Sequence, residues 1–213
     1  MAQAVESRAQ KGVCESMAKT RKTEQVRERI LVEATRLFAE RGYAGASTAQ
    51  IVRAAEITKP MLYYYFGDKE SLFRATIERI NSRRKLAVAN VLESTGPAPV
   101  RLLNLFQSVF KLARENPMDT RLPYSAFYGP KIGADSAHIQ ESGQILFLAI
   151  MNIVHSGLEK NELSGDPEHI IMSLMGVLTL HLMAHDARPE DTTLTDELAE
   201  AAISSLLKGI GPA

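Results

Sequence analysis

The chain has 213 residues, 45% of them hydrophobic and 23% charged, a composition typical of a soluble globular protein and not of a disordered or fibrous one. Its single cysteine, Cys14, excludes an internal disulfide framework and a cysteine-rich metal site, and fits a reducing cytosol. The N-terminus has no apolar segment of the signal-peptide kind, and the longest apolar stretches, 145–154 and 170–184, are shorter than the ~20 residues of a spanning helix. We therefore expect a cytoplasmic protein of one or two domains with no membrane partner.

The net charge of zero conceals two halves of opposite sign. Residues 1–85 hold 17 Lys/Arg and 10 Asp/Glu, a net charge of +7. Residues 86–213 hold 8 Lys/Arg and 15 Asp/Glu, a net charge of −7. A basic N-terminal part indicates that one end of the protein meets a polyanion, with a solvated charge fluctuation as the alternative.

Helical periodicity dominates the chain after residue 22, and no segment alternates as a half-buried β-strand does. Residues 1–22 lack this periodicity and end in basic residues, so we expect a mobile arm that either contacts phosphates or has no role. From Thr23 to Arg41 apolar residues recur at helical spacing, and Gly42 is expected to end the first helix.

Two short helices are predicted next. Ser47 and Gln50 have the spacing of a capping box, which predicts a second helix that breaks at Glu56. Thr58 is expected to cap the third helix, with Pro60 in the first turn, where a missing N–H costs little.

The third helix carries more aromatic side chains than a core contact requires. Leu62 and Phe66, four residues apart, suffice to dock it. The consecutive tyrosines at 63–65 point in different directions on a helix, so at least one must be exposed. An exposed aromatic cluster beside Lys59 and Lys69 indicates a recognition surface, and three short helices in a basic region are the setting of a helix-turn-helix.

The rest of the chain is also predicted to be helical, which makes the protein all-α. Residues 116–137, rich in proline and glycine, are expected to form a loop with at most a short helix. The helix that Asp166 begins is apolar on nearly every face, which favours a homodimer seam; the alternative is the central helix of a monomeric bundle. The predicted helices after the third span about 69–92, 100–114, 138–159, 166–187 and 195–208.

The runs Ser47–Ile51 and Thr58–Leu72 resemble the TetR family of transcriptional regulators. Members commonly share a threonine pair, a glycine-containing turn, a Leu-Tyr-Tyr-His-Phe sequence and a Lys-Glu pair shortly after it. This chain has Glu56 where the family often has glycine, and Tyr65 in place of the usual histidine. Outside these runs the chain resembles the family only in its layout of helices.

The resemblance implies that three consecutive segments of the chain have different roles. It assigns residues 1–22 to an arm, 23–68 to a three-helix DNA-binding domain, and 69–213 to a helical-bundle domain for ligand binding and dimerisation. It also implies a homodimer on a palindromic double-stranded operator, joined through the helices at about 166–187 and 195–208. The implied DNA contacts are Thr48, Thr58, Lys59, Pro60, Met61, Tyr63, Tyr64, Tyr65 and Lys69.

The family likeness further implies a small-molecule inducer, apolar or aromatic, inside the second domain. For any single candidate pocket residue, an ordinary role in the core is the favoured alternative. No cofactor and no metal are predicted, since His181 and His185 share a helix face without a third ligand or an HExxH pattern. The candidate pocket residues are Phe106, Phe110, Phe127, Tyr128, Phe147, Met151 and Met175.

The expected function is therefore that of a ligand-released transcriptional repressor. An activator or global regulator without an inducer, on the same fold, is the first alternative. An enzyme is not expected, because the sequence has no Ser-His-Asp order, no Gly-rich phosphate loop and no perturbed carboxylate pair. A helical dimer whose N-terminal unit binds protein instead of DNA is a further alternative.

Overall fold

The computed structural model describes residues 2–128 and 136–210, with side chains over 20–126 and 140–208, and throughout these ranges the chain is all-α as predicted. It divides into unit 1 (Met1–Thr76) and unit 2 (Ile77–Ala213), and this division falls inside the fourth helix. The helices are α1 (Ala2–Gly45), α2 (Thr48–Ala54), α3 (Lys59–Phe66), α4 (Lys69–Leu92), α5 (Ala98–Glu115), α6 (Pro117–Tyr128), α7 (Ser136–Glu159), α8 (Pro167–Ala187) and α9 (Asp196–Ile210).

The first helix is longer than its hydrophobic pattern indicates. Residues 2–22, which we expected to lie outside the helices as an arm, are the first part of α1, so that expectation is wrong for their backbone. The segment is rich in Ala, Gln, Glu, Lys and Arg, whose helix propensity is high without any buried face. The predicted stop at Gly42 is confirmed as a kink, because its backbone is non-helical there (φ 68°, ψ 169°).

Short polar side chains begin three of the helices, and those at Ser47 and Asp166 do so as predicted. Ser47 and Gln50 form a complete capping box, with the Ser47 N–H donating to the Gln50 side chain (2.9 Å) and the Gln50 N–H donating to Ser47 Oγ (3.2 Å). Asp68 accepts from the backbone N–H three residues on (2.7 Å), and Asp166 does the same at the start of α8 (2.9 Å). Thr58 occupies the N-cap position of α3, but its hydroxyl makes no capping hydrogen bond, contrary to expectation.

A helix fills much of the segment predicted as a loop. Residues 117–128 form α6, with Pro117 at its first position and Asp119 in its first turn, both favourable there. Pro123 lies inside this helix and has no N–H for the carbonyl of Asp119, four residues earlier. That carbonyl accepts instead from the Arg84 guanidinium at 3.4 Å, which explains how the helix tolerates an internal proline.

The core of unit 2 is built where α5, α7, α8 and α9 pack together. Gly157 marks a close approach of α7 to α5, because a Cβ there would lie 2.5 Å from the Cβ of Ala98 at the start of α5. The buried side chains recur at helical spacing on each of these helices. They include Leu102, Phe106, Phe110, Ile150, Ile153, Leu174, Leu178, Leu182 and Ile203.

Candidate nucleic-acid interface

The turn between α2 and α3 is made without glycine. The N–H of Ile57 donates to the carbonyl of Val52 (3.1 Å), and the N–H of Glu56 donates to the carbonyl of Arg53 (3.3 Å). These two bonds are the Schellman motif that commonly ends a helix, in which the residue at the Glu56 position adopts a left-handed conformation. Glu56 has φ 51°, so the chain makes the turn that glycine would make freely.

The α3 helix has one buried face and one exposed face. Leu62 is fully buried and Phe66 is 8% exposed, and both join the core of unit 1. Tyr64 is 83% exposed, Tyr63 41% and Met61 36%. Aromatic side chains this exposed contribute nothing to the core, so the helix presents a surface able to stack or hydrogen-bond with a partner.

The first turn of α3 is also exposed. Thr58, Lys59 and Pro60 all face solvent, and the Lys59 amino group lies 5.8 Å from the centre of the Tyr63 ring. Because Thr58 does not cap the helix, its hydroxyl is available together with the free backbone N–H groups of the first turn. A cation, a hydroxyl and a helix N-terminus side by side suit an anion such as a DNA phosphate.

The predicted contacts Tyr65 and Lys69 are only partly exposed. Tyr65 packs its ring edge-on against Tyr64, with centroids 5.3 Å apart. The Lys69 amino group lies 4.4 Å from the centre of the Tyr43 ring, and partial burial lowers the pKa of Lys69. Tyr43 was not among the sequence candidates; its position directly after the predicted helix stop at Gly42 was the available signal.

The predicted contact Thr48 also lies in unit 1. Thr48 is the first residue of α2, follows the capping residue Ser47 and is half-exposed. At the start of α4, the hydrogen bond from the Ser71 N–H lowers the pKa of Asp68. Every predicted DNA contact therefore lies in unit 1, on α2, on α3, at the N-cap residue Thr58 or on the first residue of α4. That these residues contact DNA remains a prediction.

Removal of the capping hydroxyl gives a local test of this unit. Ser47→Ala is expected to lower the free energy of unfolding by about 1 kcal/mol, because the first turn of α2 loses a hydrogen-bond acceptor. Urea denaturation followed by circular dichroism measures the change. Ser82→Ala is the control, because the hydroxyl of that exposed serine donates to a carbonyl within α4 and caps no helix start. Equal stability of the wild type and Ser47→Ala would contradict the assignment.

In unit 2 four of the candidate pocket residues, Phe106, Phe110, Met151 and Met175, lie in or against one core, and Phe147 does not. Phe106 and Phe110 are fully buried in the core, with ring centroids 6.1 Å apart, and Met175 packs against the same core. Phe147 is 37% exposed on α7, and Met151 lines a groove of about 800 Å³ between α4 and α7. The side chains of Phe127 and Tyr128 lie outside the described residues.

The two histidines on α8 engage backbone carbonyls. His181 Nδ1 lies 2.7 Å from the carbonyl oxygen of Val177, and His185 Nδ1 lies 2.5 Å from that of Thr192. Within the described ranges no group of three or more His, Cys, Asp or Glu side chains has the arrangement of a metal site. Both rings thus contribute to the structure of unit 2 through Nδ1.

A comparison with known families recognises the same part of the chain. The sequence profile described as "Bacterial regulatory proteins, tetR family" matches residues 30–76, which end where unit 1 ends. The chain belongs to the TetR family. The matched residues hold the capping box, the turn at Glu56 and the exposed face of α3, which are the features that carried the resemblance.

Individual TetR-family relatives agree with this assignment. The HTH-type transcriptional repressor DhaR of Mycobacterium sp. (strain GP1) is 31% identical over 87 residues, which are 40% of this chain and 44% of DhaR. The chain spans about half or less of the length of the first curated relatives that it matches. These relatives are named as transcriptional regulators and not as enzymes, in agreement with the sequence analysis.

Solved TetR-family structures share the fold over most of the chain. The regulator PfmR from Thermus thermophilus superposes with a TM-score of 0.72 at 20% identity, over 88% of this chain and 98% of PfmR. FadR from Bacillus subtilis, solved in complex with stearoyl-CoA, has a TM-score of 0.69 at 16% identity, over 85% of this chain and 98% of FadR. At these identities the likeness shows the fold.

Proposed function

We propose that this TetR-family chain is a cytoplasmic transcriptional repressor that binds a palindromic operator as a homodimer and is released by a small-molecule effector. The observation that carries the proposal is the exposed face of α3, where Tyr63 and Tyr64 project beside Lys59 while Leu62 and Phe66 hold the helix to its unit. In a helix-turn-helix this second helix enters the major groove, and its N-terminal residues approach the base edges. The net charge of +7 over residues 1–85 favours the phosphate backbone.

Homodimerisation is supported by an apolar stripe on α8. Met172 (60% exposed), Leu180 (67%) and Met183 (46%) lie on one face of the helix, and Gly176 leaves open space at its centre. By length and hydropathy alone, α8 is the one helix among the described residues that could cross a membrane, with 28% of the apolar window buried. An apolar helix this exposed in a single chain is completed by a second copy, with α9 beside it in a four-helix seam.

The dimer determines the geometry of the operator. Two copies of α3 related by a two-fold axis read half-sites about one helical turn apart, roughly 34–36 Å. The choice of a repressor over an activator is supported by DhaR, which is named as a repressor. An effector in unit 2 would act through α4, which continues into unit 1, and a coupling of about 1–3 kcal/mol is enough to change operator affinity.

Fluorescence anisotropy of the purified protein with its own upstream intergenic DNA, across a salt series, tests the DNA-binding role. We expect Tyr64→Ala and Lys59→Ala each to weaken specific binding about tenfold, because each loses a contact worth about 1–3 kcal/mol. Lys59→Ala is also expected to reduce the salt slope by about one unit if the lysine meets a phosphate. Scrambled DNA of the same length measures non-specific binding.

Lys111→Ala is the matched control for this experiment. Lys111 is 67% exposed on α5 in unit 2, so its removal changes net charge as Lys59→Ala does but leaves α3 intact. Unchanged affinity in Lys111→Ala together with weakened binding in the α3 variants supports the proposal. Equal affinities for the upstream DNA in all three variants and the wild type would exclude α3 as the DNA-reading helix.

A further inference from the structure

The part of α4 that belongs to unit 2 carries three arginines, Arg79, Arg83 and Arg84. Two of them share one carboxylate, that of Asp119. Arg79 Nη2 lies 3.1 Å from Asp119 Oδ1, and Arg83 Nη1 lies 2.9 Å from Asp119 Oδ2. Asp119 is 5% exposed, so both of its oxygens are engaged inside the protein. The carboxylate is thus occupied before the third arginine of this group, Arg84, is considered.

Arg84 is buried, and no carboxylate among the described residues forms an ion pair with it. It is 8% exposed, and its guanidinium donates to two backbone carbonyls, those of Ser142 (3.2 Å) and Asp119 (3.4 Å). Desolvation lowers the pKa of Arg84, and attraction to Tyr124 and Asp119 opposes this only in part. An arginine does not lose its proton in a protein, so the buried charge is retained.

The surroundings of Arg84 favour an anion. A neutral hydrogen-bond donor would satisfy both carbonyls as well as Arg84 does. The two hydrogen bonds therefore account for the N–H groups of the guanidinium but not for its positive charge. Asp119 lies in the first turn of α6, the end of a helix at which the dipole favours negative charge and disfavours a cation. A guanidinium fixed at such a place stabilises an anion held beside it.

A cavity lies next to this guanidinium. It has a volume of about 10 Å³, enough for one water molecule, and its other lining side chains are mostly apolar, among them Val88, Val109 and Leu146. A second, partly open cavity of about 300 Å³ between α5, α6 and α8 shares two lining residues with it, Thr120 and Leu182. These two side chains separate the larger cavity from the Arg84 charge.

We propose that the effector of this protein is an organic acid whose carboxylate binds Arg84 and whose apolar body fills the larger cavity. The inference rests on the proposed function, since it names the chemical class of the effector, and it adds a negative charge to the apolar or aromatic character expected from the sequence. Binding displaces Thr120 and Leu182 and joins the two cavities. The joined volume is in the range of small-molecule sites, in which a few polar groups supply orientation and specificity. The wall of the larger cavity also holds His185 and the ion pair of Arg121 with Asp186 (3.8 Å), so the apolar body of the acid would lie against the remaining, mostly apolar lining.

Arg101 is a second buried arginine of unit 2, and its Nε has no hydrogen-bond partner among the described residues. It is 6% exposed, and its guanidinium donates to the carbonyl of Leu92 (3.3 Å), the last residue of α4. A helix C-terminus carries partial negative charge, which offsets a cation. Arg101 lines neither of the two cavities. It therefore serves as the matched control for Arg84.

Isothermal titration calorimetry of the full-length protein with octanoate, 4-phenylbutyrate and their uncharged amides tests the proposal. We expect at least one of the acids to bind the wild type about tenfold more tightly than its amide, equivalent to about 1.4 kcal/mol. Arg84→Gln keeps a donor for the carbonyls and is expected to remove this preference, with amide binding unchanged. Arg101→Gln is expected to keep the preference even if it lowers the unfolding temperature.

Two further variants keep the test decisive if Arg84→Gln does not fold. Arg84→Lys retains the charge and is expected to retain part of the preference for the acid. Ala87→Leu narrows the cavity beside Arg84 and is expected to weaken acid binding by at least about tenfold, because the carboxylate can no longer approach. Equal affinity of acid and amide for the wild type, a preference that survives in Arg84→Gln, or no binding by either acid would overturn the proposal.

The same preparations separate this inference from the proposed function. Operator binding is measured by anisotropy without any acid. Operator binding without acid binding would overturn the effector class alone. Acid binding without selectivity for the upstream DNA would overturn the regulatory role alone.

Discussion

Leu180→Glu is expected to convert the proposed homodimer into a monomer and to lower operator affinity by at least about a hundredfold. Leu180 is the most exposed apolar side chain of the α8 stripe, so in a two-fold seam its carboxylate replacement would face its own copy. Burial of an unpaired charge costs several kcal/mol, more than most seams of this kind tolerate. Two linked half-sites bind with an avidity of about 10²–10⁴ over one, and a monomer loses this gain.

Light scattering after size-exclusion chromatography measures the mass, and anisotropy with the upstream DNA measures the affinity. Leu86→Glu is the matched control: Leu86 is 71% exposed, much as Leu180 is (67%), but lies on α4 outside the proposed seam. This control is expected to remain dimeric and to bind DNA as the wild type does. A dimeric Leu180→Glu protein would place the seam on another surface.

Leu62→Ala is expected to lower the free energy of unfolding of unit 1 by about 2–5 kcal/mol, since it removes a fully buried side chain and leaves a cavity. Leu62 docks α3, so specific DNA binding is expected to fail together with folding. Tyr64→Ala, next to Met61 on the exposed face, should change the stability by less than about 0.5 kcal/mol while it weakens DNA binding. The pair separates the docking role of α3 from its recognition role.

Tyrosine fluorescence in urea follows mainly this unit. The chain has no tryptophan and 6 tyrosines, of which those at positions 43 and 63–65 lie in unit 1. An unfolding transition of Leu62→Ala at the wild-type urea concentration would contradict the burial of this side chain. A stability loss in Tyr64→Ala as large as that in Leu62→Ala would show that the exposed tyrosine holds the fold.

Local chemistry was predictable from the sequence wherever a single residue type dominates the physics. The capping box at Ser47, the kink at Gly42 and the cap at Asp166 all follow from short-range backbone requirements. Two elements were not predictable in this way. Residues 2–22 are helical through intrinsic propensity, without an apolar periodicity in the sequence, and α6 contains a proline whose missing N–H is compensated from α4 by Arg84.

The DNA-facing surface of α3 and the surroundings of Arg84 also differ in how far the sequence predicts them. The buried and exposed faces of α3 follow from helical geometry once Leu62 and Phe66 are recognised as its docking residues. The contact of Lys69 with Tyr43 joins residues far apart in sequence, and a pattern of spacings does not reveal it. The sequence likewise does not distinguish Arg84 from the exposed basic residues of a polar helix. Its burial depends on α6 and α7, which pack over it.

The backbone at Glu56 affects how proteins of this kind are detected. A left-handed φ costs a side-chain-bearing residue about 1–2 kcal/mol, and here the Schellman hydrogen bonds of α2 hold the residue in place despite that cost. Glycine at this position would therefore lower the conformational cost of the turn, but the turn does not require it. Search patterns that require it would pass over helix-turn-helix units built as this one is, so a genome scanned with them yields too short a list of regulators.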